Sequence, residues 1–158
     1  MKLLLDLDIC EKCNECTAKC SYYYHPQNDG VIALRELATF SVVCRKCDEG
    51  TCVLSCPQDA LERLDTGIVK RYNMRCISCK SCSYACPFGT IYPEVIPYLV
   101  SKCDYCGDRS RDVPLCVKTC SKEGAIKVVE EIQEEPGKGI YKVTDNLYVH
   151  ATNFWVRV

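Results

Sequence analysis

Apolar and polar residues alternate at the start of the chain. Leu3, Leu5, Leu7 and Ile9 fall on one face of an extended segment, with Asp6 and Asp8 on the other. A period of two predicts a first β-strand. After the Asp29-Gly30 turn, Ala33, Leu34, Leu37 and Ala38 predict a short helix over 33–38. Short helical turns are expected over 58–62 and 121–124, strands over 67–72 and 125–129, and a charged turn or linker over 130–138. Residues 140–158 read as a final hairpin turning at Asp145-Asn146.

The same pattern sets limits. No apolar run approaches the roughly 20 residues of a membrane span. The N-terminal run is interrupted by Asp6 and Asp8 and lacks an export signal's cleavage site. A cytoplasmic location is therefore expected, with export inside a partner-led folded complex as the alternative. Lys and Arg number 20 against 21 Asp and Glu. That balance gives no case for nucleic acid or an anionic membrane.

The 158 residues suit one domain or two very small ones, and 16 of them are cysteine. An even count raises the possibility of disulfides, which need an oxidising compartment. The spacing points elsewhere. Cys10, Cys13, Cys16 and Cys20 form C-x2-C-x2-C-x3-C. Cys44, Cys47, Cys52 and Cys56 form C-x2-C-x4-C-x3-C, followed by Pro57. Cys76, Cys79, Cys82 and Cys86 repeat the first spacing, followed by Pro87. Cys103, Cys106, Cys116 and Cys120 form C-x2-C-x9-C-x3-C, and no cysteine is left over.

A 4Fe–4S cubane has four iron corners, each taking one soft thiolate. Three cysteines within seven residues let one loop wrap three corners. Structural zinc is usually held by C-x2-C pairs, so the repeated triple favours iron–sulfur over zinc. Loaded with four oxidised clusters, the chain would carry a net charge of about −9.

In two-cluster ferredoxins the last cysteine of each run ligates the other cluster. The 19 residues between Cys56 and Cys76 resemble the spacing in clostridial-type ferredoxins. Proline follows the last cysteine only in the two middle runs; Ser21 and Ser121 stand there in the outer two. The expected sites are Cys10, Cys13, Cys16 with Cys120; Cys103, Cys106, Cys116 with Cys20; Cys44, Cys47, Cys52 with Cys86; and Cys76, Cys79, Cys82 with Cys56. The expected fold is α+β, two nested bacterial-ferredoxin-like units around four 4Fe–4S clusters. Residues 1–38 and 92–130 form the outer unit and 39–91 the inner. Residues 131–158 form a C-terminal β-hairpin extension suited to partner docking.

Three segments carry a family resemblance across 39–125. Cys44-Arg45-Lys46-Cys47-Asp48-Glu49-Gly50-Thr51-Cys52-Val53-Leu54-Ser55-Cys56-Pro57 resembles C-x-H-C-E-x-x-x-C-V-x-x-C-P. Cys76-Ile77-Ser78-Cys79-Lys80-Ser81-Cys82-Ser83-Tyr84-Ala85-Cys86-Pro87-Phe88-Gly89 resembles C-I-G-C-x-x-C-x-x-A-C-P-F-G. Lys102-Cys103-Asp104-Tyr105-Cys106, with Pro114 before Cys116-Val117, resembles K-C-D-L-C followed by P-x-C-V. These are motifs of the four-cluster electron-transfer subunits of the dimethyl sulfoxide reductase iron–sulfur family. The resemblance implies quartets one and four paired, two and three paired, and a larger catalytic partner with a molybdenum or tungsten pterin or another metal centre. Lys46 departs from the family's histidine, and the prolines after Cys20 and Cys120 are missing. The short chain, without an anchor, favours a tungsten aldehyde oxidoreductase-type complex, a benzoyl-CoA reductase or a formate dehydrogenase over a membrane-docked respiratory subunit.

The expected function is single-electron relay through the clusters between that catalytic subunit and a donor or acceptor such as ferredoxin or a flavin subunit. The alternatives are a free-standing polyferredoxin, or a subunit of a hydrogenase or carbon monoxide dehydrogenase. Lys12, Lys19, Arg45, Lys46, Arg75, Lys80, Lys102 and Lys118 sit beside ligands and are candidates to raise cluster potentials, or are ordinary surface residues. No second chemistry emerges. His25 and His150 form no motif, and no phosphate loop, nucleophile triad or H-E-x-x-H is present. The chain is expected to be no enzyme on its own. Tyr22, Tyr23, Tyr24, Phe154 and Trp155 are candidate interface anchors in a hetero-oligomer.

Overall fold

The first strand forms and then stops short of its expected length. β1 (Lys2–Asp6) buries Leu3 and Leu5. At Asp6 the carboxylate accepts a hydrogen bond from the Ile9 N–H at 3.0 Å. This caps a helical turn, α1 (Leu7–Cys10). Leu7 and Ile9 therefore leave the strand, and the turn delivers Cys10 at its end. The computed structural model describes residues 1–21, 30–91, 93, 103–106 and 113–152. Tyr22, Tyr23, Tyr24, His25, Asp29, Lys102, Phe154 and Trp155 lie outside the described residues, and so do the interface expectations placed on the aromatic ones.

β1 lies inside a four-stranded sheet. It pairs antiparallel with β4 (Ile126–Val129), where Leu5 faces Ile126. On its other side it pairs parallel with β6 (Leu147–His150), where Leu3 faces Leu147. β6 in turn pairs antiparallel with β5 (Ile140–Thr144), and the hairpin turns at Asp145-Asn146 as the sequence predicts. The order is β4-β1-β6-β5. The hairpin is thus part of the sheet, and Val143, Leu147 and Val149 are at most 1% exposed. His150 Nδ1 sits 2.9 Å from Asp6 Oδ2, tying the end of β6 to the end of β1.

Helix α2 (Gly30–Val43) runs five residues beyond the expected end at Ala38. Thr39, Phe40, Val42 and Val43 are poor helix formers, so propensity argues for stopping there. Packing overrides it. Leu34, Leu37 and Ala38 join the core under the four-stranded sheet, while Phe40 joins a second core with Leu61, Val69 and Ile91. Between these cores, β2 (Leu61–Arg63) and β3 (Val69–Arg71) form an antiparallel hairpin over part of the expected strand at 67–72.

The helical turns expected after Cys56 and Cys120 are not there. The chain after Cys56 makes a non-helical turn and enters β2, with the Ala60 N–H donating to Cys56 Sγ at 3.3 Å. After Cys120 it makes a turn closed by Ala125 N–H to Lys122 O at 3.1 Å. The short helices come before the last cysteines instead: α3 (Thr51–Leu54), α4 (Ser81–Ala85) and α5 (Leu115–Thr119). Among the described residues, no helix is long and apolar enough to cross a membrane.

Gly139 enters β5 at φ 72°, and an added Cβ would meet the Ala151 carbonyl oxygen at 2.7 Å. Gly139→Ala should therefore destabilise the fold by more than about 1 kcal/mol, read as a lower midpoint in denaturant.

Candidate metal centres

Cys10, Cys13, Cys16 and Cys120 line one cavity with Thr17 and Arg35. α1 ends at Cys10 and α5 ends just before Cys120, so both meet the site from helix ends. Hydrogen bonds lace these distant segments together. Thr17 Oγ1 donates to Thr119 O at 3.1 Å, Lys19 N–H donates to Thr119 Oγ1 at 2.8 Å, and Ser121 N–H donates to Thr17 Oγ1 at 2.9 Å. Burial pushes the Cys10 thiol up, with the Arg35 charge working against it and the other three thiols reinforcing it.

Cys20, Cys103, Cys106 and Cys116 line a second cavity with Leu3, Val31, Leu34 and Pro114. Burial pushes the Cys103 thiol up to about 12 and the Cys116 thiol up to about 11. The Asp104 carboxylate accepts the Cys106 N–H at 3.0 Å and shapes the loop.

Cys56, Cys76, Cys79 and Cys82 line a third, with Arg71 and Lys80. Burial pushes the Cys82 thiol up to about 11, assisted by Cys76 and Cys56. Cys79 is exposed, and a hydrogen bond with the Ser81 hydroxyl lowers its thiol.

The remaining group is Cys44, Cys47, Cys52 and Cys86, all half-buried. Burial pushes the Cys52 thiol up, and Cys44 and Cys86 stand near enough to add to it. Cys47 is half-buried on the same loop as Cys44. Burial acts to raise Cys86, but hydrogen bonding with Thr90 and with nearby backbone outweighs it, and that thiol lies below its usual range. Thr51 Oγ1 donates to Ala85 O at 3.0 Å, fastening α3 to α4.

All sixteen cysteines are free thiols. The backbone adds a feature that spacing did not predict. The residue before the second cysteine is left-handed in three runs: Lys46 at φ 54°, Ser78 at 58° and Tyr105 at 58°. Such residues turn successive N–H groups toward one side and make anion-binding concavities of the kind found at Fe–S sites. Thiol quartets around cavities, with such loops beside them, fit iron–sulfur clusters.

One residue the sequence reading missed contacts a candidate ligand directly. Arg71, on β3, has a side chain only 2% exposed. Its Nε and Nη2 donate to the two Glu36 carboxylate oxygens, each at 2.6 Å. Its Nη1 donates to Cys76 Sγ at 3.3 Å. The signal was available: Val69 and Arg71 share the inward face of a strand, so the alternation puts a charge where an apolar residue is due. The basic residues chosen for adjacency to cysteine are mostly exposed, and Arg45 and Arg75 lie over the rings of Phe88 and Tyr72.

These features define an iron–sulfur electron-transfer protein whose cysteines serve multiple 4Fe–4S clusters. Residues 35–130 match the model of the 4Fe-4S dicluster domain, and the chain belongs to that ferredoxin-like family. It is 31% identical over 145 residues to a ferredoxin of Methanocaldococcus jannaschii, covering 89% of this chain and 91% of that one. It is 29% identical over 154 residues to the electron transport protein HydN of Escherichia coli, covering 80% and 86%. A tetrathionate reductase subunit of Salmonella typhimurium is 27% identical over 148 residues, covering 84% of this chain and 58% of that one.

Proposed function

We propose that the chain is a non-catalytic relay, carrying single electrons through four 4Fe–4S clusters for a larger catalytic subunit with a molybdenum or tungsten pterin. All sixteen cysteines serve as ligands, in the crossed partition that pairs the first run with the fourth and the second with the third. Residues 1–38 and 92–130 then make the outer ferredoxin-like unit and 39–91 the inner one. When bound, the clusters supply one-electron redox chemistry. The chain's own contribution is to hold thiolates, aim backbone N–H groups and limit water.

The observation that carries this reading is the composition of the cavities. Each of the three is lined by the first three cysteines of one run and the last of another. The catalytic partner is supported by the similarity to a reductase subunit and by exposed Leu54, Tyr84 and Phe88 beside the inner ligands, residues of the kind that interfaces cover. A free-standing shuttle is the second reading, favoured by a ferredoxin relative that the chain covers over 91% of its length. Purification of the native protein separates the two readings: a large co-purifying chain supports the subunit, a lone monomer the shuttle.

The crossing has its own test. Cys120→Ala should perturb the cluster of Cys10, Cys13 and Cys16, and Cys20→Ala that of Cys103, Cys106 and Cys116. Electron paramagnetic resonance should show a different cluster altered in each variant. Cys120→Ala paired with Cys103→Ala should alter two clusters, whereas uncrossed ligation would alter one.

A further inference from the structure

We propose that the buried Arg71–Glu36 pair sets the reduction potential of the cluster held by Cys56, Cys76, Cys79 and Cys82, at the crossing point between the two halves of the relay. The proposal rests on the four-cluster reading above. Four observations carry it: a fully buried guanidinium, a carboxylate that occupies two of its nitrogens, a third nitrogen on a ligand sulfur, and a second cysteine site next door.

The fork geometry fixes the direction of the third donor. An Arg–carboxylate pair with two parallel hydrogen bonds holds the guanidinium plane rigidly. With Nε and Nη2 on Glu36, Nη1 is left facing Cys76 Sγ. Hydrogen bonds to sulfur and local charge are the levers by which a protein sets a cluster's potential. A donor on the sulfur withdraws negative charge from the ligand, and reduction adds more negative charge. The reduced state therefore gains more from Nη1 than the oxidised state does. At the surface, solvent and salt would screen such a charge. Arg71 is removed from both, and its effect is correspondingly large.

Stability alone does not account for the pair. Taking two charges out of water is costly, and well-packed apolar residues of similar volume are often as stable or more so. Its position suggests a use. Arg71 also lines a cavity of about 150 Å³ with Cys103, Leu34 and Leu37. Cys103 belongs to the second cavity's quartet and Cys76 to the third's. Arg71 thus lies where an electron passes from an outer site to an inner one. Glu36 faces it from α2 and offsets part of its charge, so the two residues pull the same cluster in opposite directions.

The test is a redox titration of the anaerobically prepared full chain, followed by electron paramagnetic resonance, on the wild type and on Arg71→Gln, Arg71→Lys and Glu36→Gln. Arg71→Gln should lower the potential of one cluster and leave the others in place. Glu36→Gln should raise the potential of that same cluster. Arg71→Lys, which keeps the charge but not the fork, should fall between wild type and Arg71→Gln. If Arg71→Gln fails to hold iron, Glu36→Gln and Arg71→Lys still read the effect. Shifts of the same sign in the Arg71→Gln and Glu36→Gln variants would indicate loosened packing and overturn the proposal. So would four intact clusters with none displaced. A wild type with no cluster at the Cys76 site would overturn the four-cluster reading, and this proposal with it.

Discussion

Stripping the iron from the chain should unfold most of it. The described α-helices other than α2 are four or five residues long, far short of the roughly 12–15 residues at which an isolated helix becomes even marginal in water. The β2–β3 hairpin has three residues per strand, and a two-stranded hairpin has little stability of its own. The core beside it consists of Phe40, Leu61, Val69, Ile91 and Cys82, with five more cysteines packed around it. These elements are held by what the thiolates bind. Structural zinc in small peptide sites supplies about 10–16 kcal/mol of apparent binding energy. Whole domains are stable by only about 5–15 kcal/mol, so losing a metal contribution of that order is comparable to the entire margin. Anaerobic chelation after ferricyanide treatment should abolish near-ultraviolet circular dichroism and make the chain protease-sensitive. Amides of β2 and β3 should lose exchange protection before those of β1 and β6, which have an apolar core of their own. A cluster-free chain that stays compact and protease-resistant would show that the polypeptide folds without its metal.

Local pattern made some of this legible, and long-range packing hid the rest. Alternation placed Leu3 and Leu5 in a strand, and Asp145-Asn146 marked the hairpin turn. A loop that wraps three corners must take its fourth ligand from elsewhere. Which run supplies it is an expectation that rests on the gap between Cys56 and Cys76, the prolines after the two middle runs and the family resemblance. Three cavities are lined by cysteines of two runs each. The same logic did not say how the loops are held. The lacing of Thr17, Thr119 and Ser121 joins segments about a hundred positions apart, and single hydroxyl residues carry no periodicity to reveal it. Asp6 reads as the polar face of a strand; it is the last residue of β1 and also the cap of α1, a role decided by where its carboxylate finds an N–H. The second half of α2 contradicts its own propensities because both of its faces meet apolar cores. Adjacency in sequence to cysteine does not reveal Arg71: it stands five residues from Cys76 along the chain, and its guanidinium reaches the sulfur because β3 aims it inward.

Removing the final hairpin should empty half of the metal sites. A chain ending at Glu134 lacks β5 and β6, and β1 is left with β4 as its only partner. Val143, Leu147 and Val149 are at most 1% exposed, and burying three such side chains contributes about 5–9 kcal/mol. That is comparable to the entire margin of a small domain. The loss reaches the metal through two contacts. Thr152 N–H donates to both Asp8 carboxylate oxygens, at 3.1 and 3.0 Å, and His150 meets Asp6. Asp6 caps α1, and α1 ends on Cys10. Without the hairpin, the strand and the cap that present Cys10 both lose their support, and Leu3 no longer closes the cavity of Cys20, Cys103, Cys106 and Cys116. The inner hairpin and its two quartets do not touch β5 or β6 in sheet pairing and should still load. On the proposed four-cluster reading, iron content should fall from about sixteen atoms per chain to about eight, with the resonance signals of the inner pair retained. Leu147→Ala is the milder form of the same experiment. It should cost about 2–5 kcal/mol and release the outer iron at lower denaturant than the inner. If the truncated chain instead kept its full iron and the same denaturation midpoint, the hairpin would have no part in holding the outer sites, and its use would lie wholly in contact with a partner.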